Sequence, residues 1–433
     1  MAKKRMRNFL MVLGIVGFLF LSEANWKASS SEDPLYENLR IFAEVLKEIQ
    51  ANYVEDVDPQ KLVYSAIEGM VKSLDAHSAF LKKEEYTELM EETKGEFTGI
   101  GIEITIKDNT VTVVSPIEDT PAYRAGLKPG DKIIKVDNAP TRDMTLTEVV
   151  KRIRGPKGTQ VKITIHREGE PSPLEFEITR EKIPIQNVKG YYLGSSIGYL
   201  RVSSFQNNTS DKLYKIFQDL QKDHEIKGIL LDLRNNPGGL LSEAVKVADL
   251  FLDEGTIVTT QGRGSAQKTE LKARQGDNSI DLPMVVLVNE GSASASEIVA
   301  GALQDNKRAL IVGTKTFGKG SVQTVIPLSD GSGLRLTTSL YFTPSGRSIQ
   351  VTGIEPDVNI PAYKPTDLEL KERMLREKDL QRHMEKKEEG KGVRGEKLDE
   401  PDQNGKILLE KDYQVSYGVG ILKGARLFKV KVQ

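Results

Sequence analysis

The 433-residue sequence contains no cysteine, few histidines and almost no net charge. Without cysteine the chain can form no disulfide, no thiolate nucleophile and no sulfur-ligated metal site. The four histidines (His77, His166, His224 and His383) are widely separated and show no HExxH spacing, which argues against a zinc hydrolase. The 61 Lys and Arg residues nearly balance the 62 Asp and Glu residues, so no basic field is available for nucleic acid.

The full chain has the apolar and charged fractions (38% and 28%) of a globular protein of two or three domains. Its N-terminus has a different pattern. Basic residues precede the apolar run Phe9–Leu21, and Ser22-Glu-Ala24 forms a small-x-small cleavage pattern. As a helix the run would span about 20 Å, short of the ~30 Å hydrocarbon core of a bilayer. We predict a signal peptide at residues 1–24 and an exported protein, with an uncleaved membrane anchor as the alternative.

Two regions with different sequence patterns follow the predicted signal peptide. Residues 25–94 carry apolar residues at helical spacing, and Asp56–Pro59 has the chemistry of a helix start. Residues 95–182 combine short β-type runs with strong turn sequences such as Gly126-Leu-Lys-Pro-Gly-Asp131. The first region is predicted to be helical throughout Pro34–Met90, and the second to be a small, mainly β domain.

Residues 183–362 alternate predicted strands and helices. The strand Gly228–Leu233 precedes the helix Leu240–Phe251, and the strand Met284–Asn289 precedes the helix Ala295–Asn306. This alternation predicts a sheet covered by helices. Residues 363–433 begin with a charge-dense linker, Lys364–Gly405, in which Leu368–Lys387 could form a solvated helix. The apolar residues of Tyr413–Leu427 predict a terminal helix that docks on the fold.

The serine-rich turn Gly291-Ser-Ala-Ser-Ala-Ser-Glu297 lies between a predicted strand and a predicted helix. Backbone N–H groups and the positive end of the helix dipole converge on a serine at such a turn. If Ser294 attacked a carbonyl, the N–H of Ala295 would point at the developing oxyanion. The same pattern also fits a capping box, in which Ser294 only caps the helix. The residues alone do not choose among the three serines of the turn.

Two other segments offer candidates for the second oxyanion donor and for the general base. Glycines end the loop Arg234–Gly239 and allow its backbone to approach a ligand, so Gly238 or Gly239 could supply an N–H. No histidine is well placed as a base. Lys319 lies between glycines and beside an apolar strand, where burial would lower the pKa of its amine from about 10.4, and Gln323 could hold that amine. The alternative is a solvated surface lysine.

Several long motifs, in one order, resemble those of the carboxyl-terminal processing peptidases, which are serine proteases with a Ser-Lys dyad and a PDZ domain. The resemblance implies that Ser294 is the nucleophile, Lys319 the general base and Gln323 its orienting partner. It places the oxyanion donors on the backbone of Ala295 and Gly238. The matching segments are Phe42–Leu46, Gly69–Asp75, Gly95–Ile102, Leu231–Gly239, Gly291–Glu297, Phe317–Gln323 and Gly353–Asp357.

The resemblance also identifies residues 95–182 as a PDZ domain. Successive N–H groups of Ile100, Gly101 and Ile102 would cradle a terminal carboxylate, and the strand after them offers an edge for an added peptide strand. Arg167 matches a position that couples peptide docking to activation in some family members, which makes it a regulatory candidate. The fold implied is a multidomain α/β (α+β) protein. It has a ββα-type, crotonase- or ClpP-like protease core at 183–362 and helical N- and C-terminal segments.

The function implied is that of an exported or periplasmic serine endopeptidase that binds apolar C-termini and needs no metal or cofactor. It would be membrane-associated if its N-terminal segment is not removed. A homodimer and an adaptor or regulatory protein are the expected partners. Two rivals remain: an inactive PDZ scaffold of the cell envelope, and a hydrolase or acyltransferase that handles a thioester. One departure from the family pattern concerns Gly418 and Gly420, each of which should cost the terminal helix about 1 kcal/mol.

Overall fold

The computed structural model describes residues 34–264, 267–276, 279–362 and 400–427. The chain divides into two compact units, Met1–Phe80 and Leu81–Gln433. The predicted signal peptide and the predicted helix Leu368–Lys387 lie outside the described residues. Within the described ranges, no helix has both the length and the apolar character that crossing a membrane requires.

The first unit contains two helices, α1 (Pro34–Asn52) and α2 (Pro59–Lys72), and leads into a short strand, β1 (Ala79–Leu81). Asp58 caps α2 by accepting the Gln60 N–H at 2.9 Å, as the helix-start sequence predicted. The prediction of helix throughout Pro34–Met90 was wrong at β1. There the carboxylate of Asp75 accepts the N–H groups of His77 and Ser78 and ends the helical course of the chain.

The second unit begins with α3 (Lys83–Lys94) and a small β domain. Its strands are β2 (Glu96–Gly99), β3 (Ile102–Lys107), β4 (Thr110–Pro116), β5 (Lys132–Val136), β6 (Ala139–Pro140), β7 (Gln160–His166), β8 (Leu174–Thr179) and β9 (Glu181–Pro184). Its helices are α4 (Pro121–Ala125) and α5 (Leu146–Ile153). One sheet has the order β3-β4-β5-β7-β8 with β6 beside β5, and β2 pairs with β9. Buried branched side chains such as Ile133 and Ile163 fill its core.

The remaining chain forms a helix-covered sheet and a second, smaller sheet. The strands are β10 (Val188–Tyr192), β11 (Ile197–Val202), β12 (Gly228–Asp232), β13 (Thr256–Gln261), β14 (Lys268–Lys272), β15 (Met284–Val288), β16 (Leu310–Gly313), β17 (Ser321–Pro327), β18 (Gly333–Phe342) and β19 (Val358–Asn359). The helices are α6 (Thr209–Asp223), α7 (Leu241–Asp249), α8 (Ala295–Asp305), α9 (Gln403–Lys411) and α10 (Tyr413–Leu427).

The larger sheet has the order β10-β11-β12-β15-β16-β19, in which β10 is antiparallel to β11 and the other pairs are parallel. Every residue of β12 and β15 is buried, as expected for parallel strands covered on both faces. Ile229 and Leu231 share a core with α6, α7 and α8, whereas Leu230 packs with α10 on the opposite face. Both strand-then-helix units predicted from the sequence are present, and their helices begin near the same edge of the sheet.

The C-terminal segment returns to this sheet. The prediction of a terminal helix at Tyr413–Leu427 is confirmed, but the predicted linker ends too late, because α9 already begins at Gln403. Asp402 caps α9 by accepting the Gly405 N–H at 2.6 Å, and its other oxygen accepts the Tyr192 N–H at 2.7 Å. The charged composition of the linker gave no sign of this contact with a distant strand.

Candidate active site

The serine-rich turn occupies the connection between β15 and α8. Ser294 has φ 55° and ψ −111°, a conformation that is costly for a residue with a side chain and that is found most often at functional turns. Ser292 and Ser296 are fully buried, and their hydroxyls donate to the carbonyls of Leu233 (2.8 Å) and Asn236 (2.9 Å). These two serines therefore anchor the turn to the neighbouring loop, and Ser294 is the serine that lines the adjoining cavity.

Ser294 does not act as a conventional helix cap. The Glu297 carboxylate accepts the Ser294 N–H at 2.8 Å, so one contact of a capping box is formed. The N–H of Glu297 bonds to the backbone carbonyl of Ser294 at 2.9 Å, and the hydroxyl makes no capping hydrogen bond. The Ser294 side chain nevertheless faces the Glu297 N–H as in a capping box, so this turn fits both a capping serine and a nucleophile.

The loop that carries Lys319 lies beside the serine turn. The Phe317 N–H donates to the Ser292 carbonyl at 3.0 Å, which joins the two segments through their backbones. A cavity of about 620 Å³ is lined by Ser294, Lys319 and Gln323, with Gly238 and Ala295 at the same site. The amide nitrogen of Gln323 donates to the Ser321 hydroxyl at 2.9 Å, so its carbonyl oxygen remains to accept from an amine. The fold thus brings together all five residues predicted for the catalytic site.

Glu297 connects the serine-rich turn to the loop that carries Lys319. Its fully buried carboxylate accepts the backbone N–H groups of Gly318 (2.7 Å) and Lys319 (2.9 Å), the Thr316 hydroxyl (2.6 Å), and the N–H of Ser294. Burial raises the pKa of Glu297, and these four hydrogen bonds oppose that rise. The sequence suggested only a capping role for this residue, because the partners on the lysine loop are close to it in the fold and not in the sequence.

Tyr341 is a second site residue that the sequence did not reveal. Its phenol donates to the Lys319 carbonyl and its N–H donates to the Gly320 carbonyl, so β18 holds both sides of the lysine loop. Burial raises the pKa of Tyr341 well above its usual value, the charge of Glu297 raises it further, and a hydrogen bond with the Ser294 side chain acts in the opposite sense. This tyrosine is therefore a neutral phenol between the two loops.

The loop after β12 approaches the serine closely. A Cβ atom built on Gly238 would lie 2.8 Å from the Ser294 Cβ and 3.0 Å from the Ala295 nitrogen, so only glycine fits there. The Gly238 N–H, which was the expected oxyanion donor, donates to the Asn236 side-chain oxygen at 2.9 Å. The N–H of Gly239 has no acceptor among the described residues. In this conformation the expected donor Gly238 is therefore engaged within its own loop, whereas the Gly239 N–H is not.

Comparison with known proteins identifies the family. The chain matches the models of peptidase family S41 over residues 196–360, of the PDZ domain over 112–167, and of the activating protease CtpB N-terminal domain over 21–85. It is 43% identical over 394 residues to the carboxy-terminal-processing protease of Bartonella bacilliformis, an alignment that covers 90% of this chain and 91% of that protein. The chain belongs to peptidase family S41. The resemblance predicted from its motifs is confirmed.

A second sequence relative agrees with this assignment. This S41 peptidase is 40% identical over 357 residues to a "probable CtpA-like serine protease" of Staphylococcus aureus (strain COL). The alignment covers 82% of this chain and 70% of that protein. A solved structure of a photosystem II D1 C-terminal processing protease is 36% identical, covers 76% of this chain and 94% of its own, and aligns with a TM-score of 0.44. The family models and the sequence relatives show that the chain is a carboxy-terminal-processing serine protease with a PDZ domain, as expected.

The PDZ domain of this S41 peptidase contains an apolar groove of about 270 Å³ between β3 and α5. The predicted carboxylate-binding residues Ile100, Gly101 and Ile102 line it, together with Leu146 and Ile153 of α5. Gly101 has φ 79°, and a Cβ on it would lie 2.3 Å from Thr120. The structure therefore places the three predicted residues in one groove, where a side chain at position 101 cannot be accommodated.

Arg167 lies inside the PDZ domain, away from the serine cavity. Its guanidinium makes two hydrogen bonds with the buried carboxylate of Asp131 (2.7 and 2.8 Å) and one with the Gly126 carbonyl (2.9 Å). The hydrogen bond to Asp131 is the main reason that the pKa of Arg167 is raised. In this conformation the residue braces the Gly126–Asp131 turn, and its regulatory role stays a prediction.

Arg234 lies at the start of the loop Arg234–Gly239 and joins it to the C-terminal segment. It bonds to Asp232 through Nη2 (2.6 Å) and to both carboxylate oxygens of Asp412 (3.0 and 2.8 Å), at the start of α10. Burial by itself would raise the pKa of Asp232, but hydrogen bonding and charge from Arg234, with help from Arg201, hold it below its usual value. The C-terminal helix is thereby tied to the residue that precedes the Asn235–Gly239 loop.

Proposed function

We propose that this S41 peptidase cleaves peptide bonds through an acyl-enzyme on Ser294, with Lys319 as the general base. The observation that carries the proposal is the cavity in which Ser294, Lys319 and Gln323 meet. The other two serines of the turn are engaged with backbone carbonyls. A serine at the N-terminus of a helix that shares a cavity with a lysine suits nucleophilic acyl transfer.

The proposed mechanism assigns one role to each group. The amine of Lys319, in its unprotonated form and oriented by Gln323, takes the hydroxyl proton as the Ser294 oxygen attacks the carbonyl carbon. The tetrahedral oxyanion accepts from the Ala295 N–H and from an N–H of the glycine loop, Gly238 or Gly239. The lysine then donates its proton to the leaving amine, and a water molecule hydrolyses the ester. No step draws on a metal or a cofactor.

The proposed substrates are unfolded or tagged proteins with apolar C-termini. The groove beside Ile100, Gly101 and Ile102 is lined by aliphatic side chains, which suit an apolar last residue, and its glycine-containing loop suits a terminal carboxylate. The PDZ domain would hold the C-terminus of a substrate and so raise the local concentration of the adjoining chain at the serine cavity. An adaptor or regulatory protein could bind the same groove.

We also propose that the protein is exported and forms a homodimer. The basic and apolar pattern of residues 1–24 supports export to a periplasmic or other extracytoplasmic compartment, with membrane association if the segment is not removed. None of the side chains of α1 is buried, and its apolar residues Leu39, Phe42 and Val45 are exposed. An exposed apolar helix face is a suitable contact for a second copy of the chain.

The decisive experiment is digestion of casein by the purified chain without residues 1–24, together with Ser294→Ala, Lys319→Ala and the control Lys315→Ala. Lys315 is an exposed lysine of the same region, paired with Glu355. Wild type and the control should cut, whereas Ser294→Ala and Lys319→Ala should fold but not cut. Cutting by Lys319→Ala would show that another group is the base. If wild type does not cut even with an apolar C-terminal peptide present, the inactive PDZ scaffold becomes the better description.

A further inference from the structure

Gln206 lines the same cavity as Ser294 and Lys319 but has no part in the mechanism above. It lies in the loop between β11 and α6 and is 7% exposed. The Thr209 hydroxyl accepts its N–H at 2.9 Å and donates to its carbonyl at 2.6 Å, so the backbone of Gln206 is held firmly. The hydrogen-bonding groups of Gln206 that remain are those of its side-chain carboxamide.

The side-chain oxygen of Gln206 is a buried acceptor without a donor. Over the described part of the chain, it is the single buried side-chain nitrogen or oxygen that lacks a hydrogen-bond partner. A buried polar atom in this state destabilises the folded protein, whereas a methionine of similar size would fill the space without that cost. Native structures hold few such atoms, and one beside a reactive serine suggests a donor that arrives with the ligand.

The carboxamide can reach the cavity by a small movement. Its oxygen now lies against Gly95, where a built Cβ would be 2.9 Å from it. The terminal torsion of a glutamine is soft, so rotation about χ3 can exchange the oxygen and the NH₂ group, which turns the oxygen toward the cavity that the side chain already lines and the NH₂ group toward Gly95. The cavity is lined by aliphatic side chains such as Leu241 and Ile298 and by the charged side chains of Glu92 and Arg335. A main-chain N–H is the donor that a bound peptide offers whatever its side chains.

We infer that the Gln206 carboxamide binds a main-chain N–H of the peptide substrate next to the scissile bond, an inference that rests on the proposed peptidase function. Because every residue except proline presents this N–H, the contact gives affinity without demanding a particular side chain. Gln206 is then a substrate-binding residue whose orphan acceptor is satisfied only in the complex.

Gln206→Met tests the inference, with Gln218→Met as the matched control, since Gln218 is exposed on α6. For peptide cleavage, kcat/KM should fall by about 3- to 10-fold, the worth of one net hydrogen bond, mainly through KM. Labelling of Ser294 by a small fluorophosphonate should be unchanged. The melting temperature should rise by about 2 to 4 °C, because the orphan acceptor is gone. A structural role predicts the opposite: lower stability and slower labelling together.

Replacing substrate amides one at a time by esters tests the same contact on the unchanged chain. At one position the ester should reduce kcat/KM in the wild type by about 3- to 10-fold and have no effect in Gln206→Met. The inference is overturned if no position behaves in this way, or if Gln206→Met cleaves as well as wild type. A wild-type chain that reacts with the fluorophosphonate but cleaves no peptide overturns the proposed function itself, a result distinguishable from failure at Gln206 alone.

Discussion

Glu297→Gln should disable the catalytic site while preserving the size of the side chain. Each carboxylate oxygen of Glu297 accepts two hydrogen bonds, one oxygen from Thr316 and Gly318 and the other from Ser294 and Lys319. The NH₂ group of a glutamine cannot accept, so either orientation leaves two buried donors without an acceptor. At about 1–3 kcal/mol each, the free energy of unfolding should fall by about 2–6 kcal/mol.

The substitution should impair catalysis as well as folding. Because the lost acceptors hold the backbones of both reacting loops, a displacement of ~1 Å between serine and lysine is expected, and such a displacement lowers kcat by about 100-fold. The assays are the melting temperature, which should fall by at least about 4 °C, and the rate of casein digestion. Glu290→Gln is the control, since that exposed carboxylate in the same turn bonds to the Thr314 hydroxyl and should change neither quantity. A Glu297→Gln variant with wild-type stability and wild-type kcat would refute the reasoning.

Three further predictions follow from close packing, buried charge and helix propensity. Gly238→Ala should lower kcat/KM for casein by more than about 100-fold and slow fluorophosphonate labelling, because its Cβ would fill the space beside the Ser294 Cβ; unchanged labelling would contradict this. Asp232→Asn should lower the free energy of unfolding in urea by about 3 kcal/mol at pH 7. Its carboxyl has a folded-state pKa held below 3.8, so the stabilisation is present above that pH and is lost as the pH falls below it; the wild-type and variant urea midpoints should therefore converge in acid. Gly420→Ala should stabilise by about 1 kcal/mol at an exposed helix position, whereas Gly418→Ala should not, because its Cβ would lie 2.7 Å from a Leu230 methyl; equal melting temperatures for the two would contradict the packing argument.

Much of the fold could be predicted from the sequence where a run of apolar residues ends at turn-forming residues. The strand predicted at Met284–Asn289 is observed at Met284–Val288, because the apolar run ends there at a polar turn. The start of α9 was missed, since the Asp402 cap is completed by a contact with Tyr192. Sequence patterns record neighbours along the chain, and this contact joins residues far apart in it.

Some features of the catalytic site could likewise be predicted from the sequence, and others depend on the tertiary structure. The sequence by itself determined the family, the strand-turn-helix setting of Ser294 and the candidacy of Lys319, because these depend on local motifs. It left three serines and a capping alternative open. Only the tertiary structure assigned the hydroxyls of Ser292 and Ser296 to backbone carbonyls of another loop. It also revealed Glu297 and Tyr341 as links between the reacting loops, since hydrogen bonds across folded segments have no signature in the order of residues.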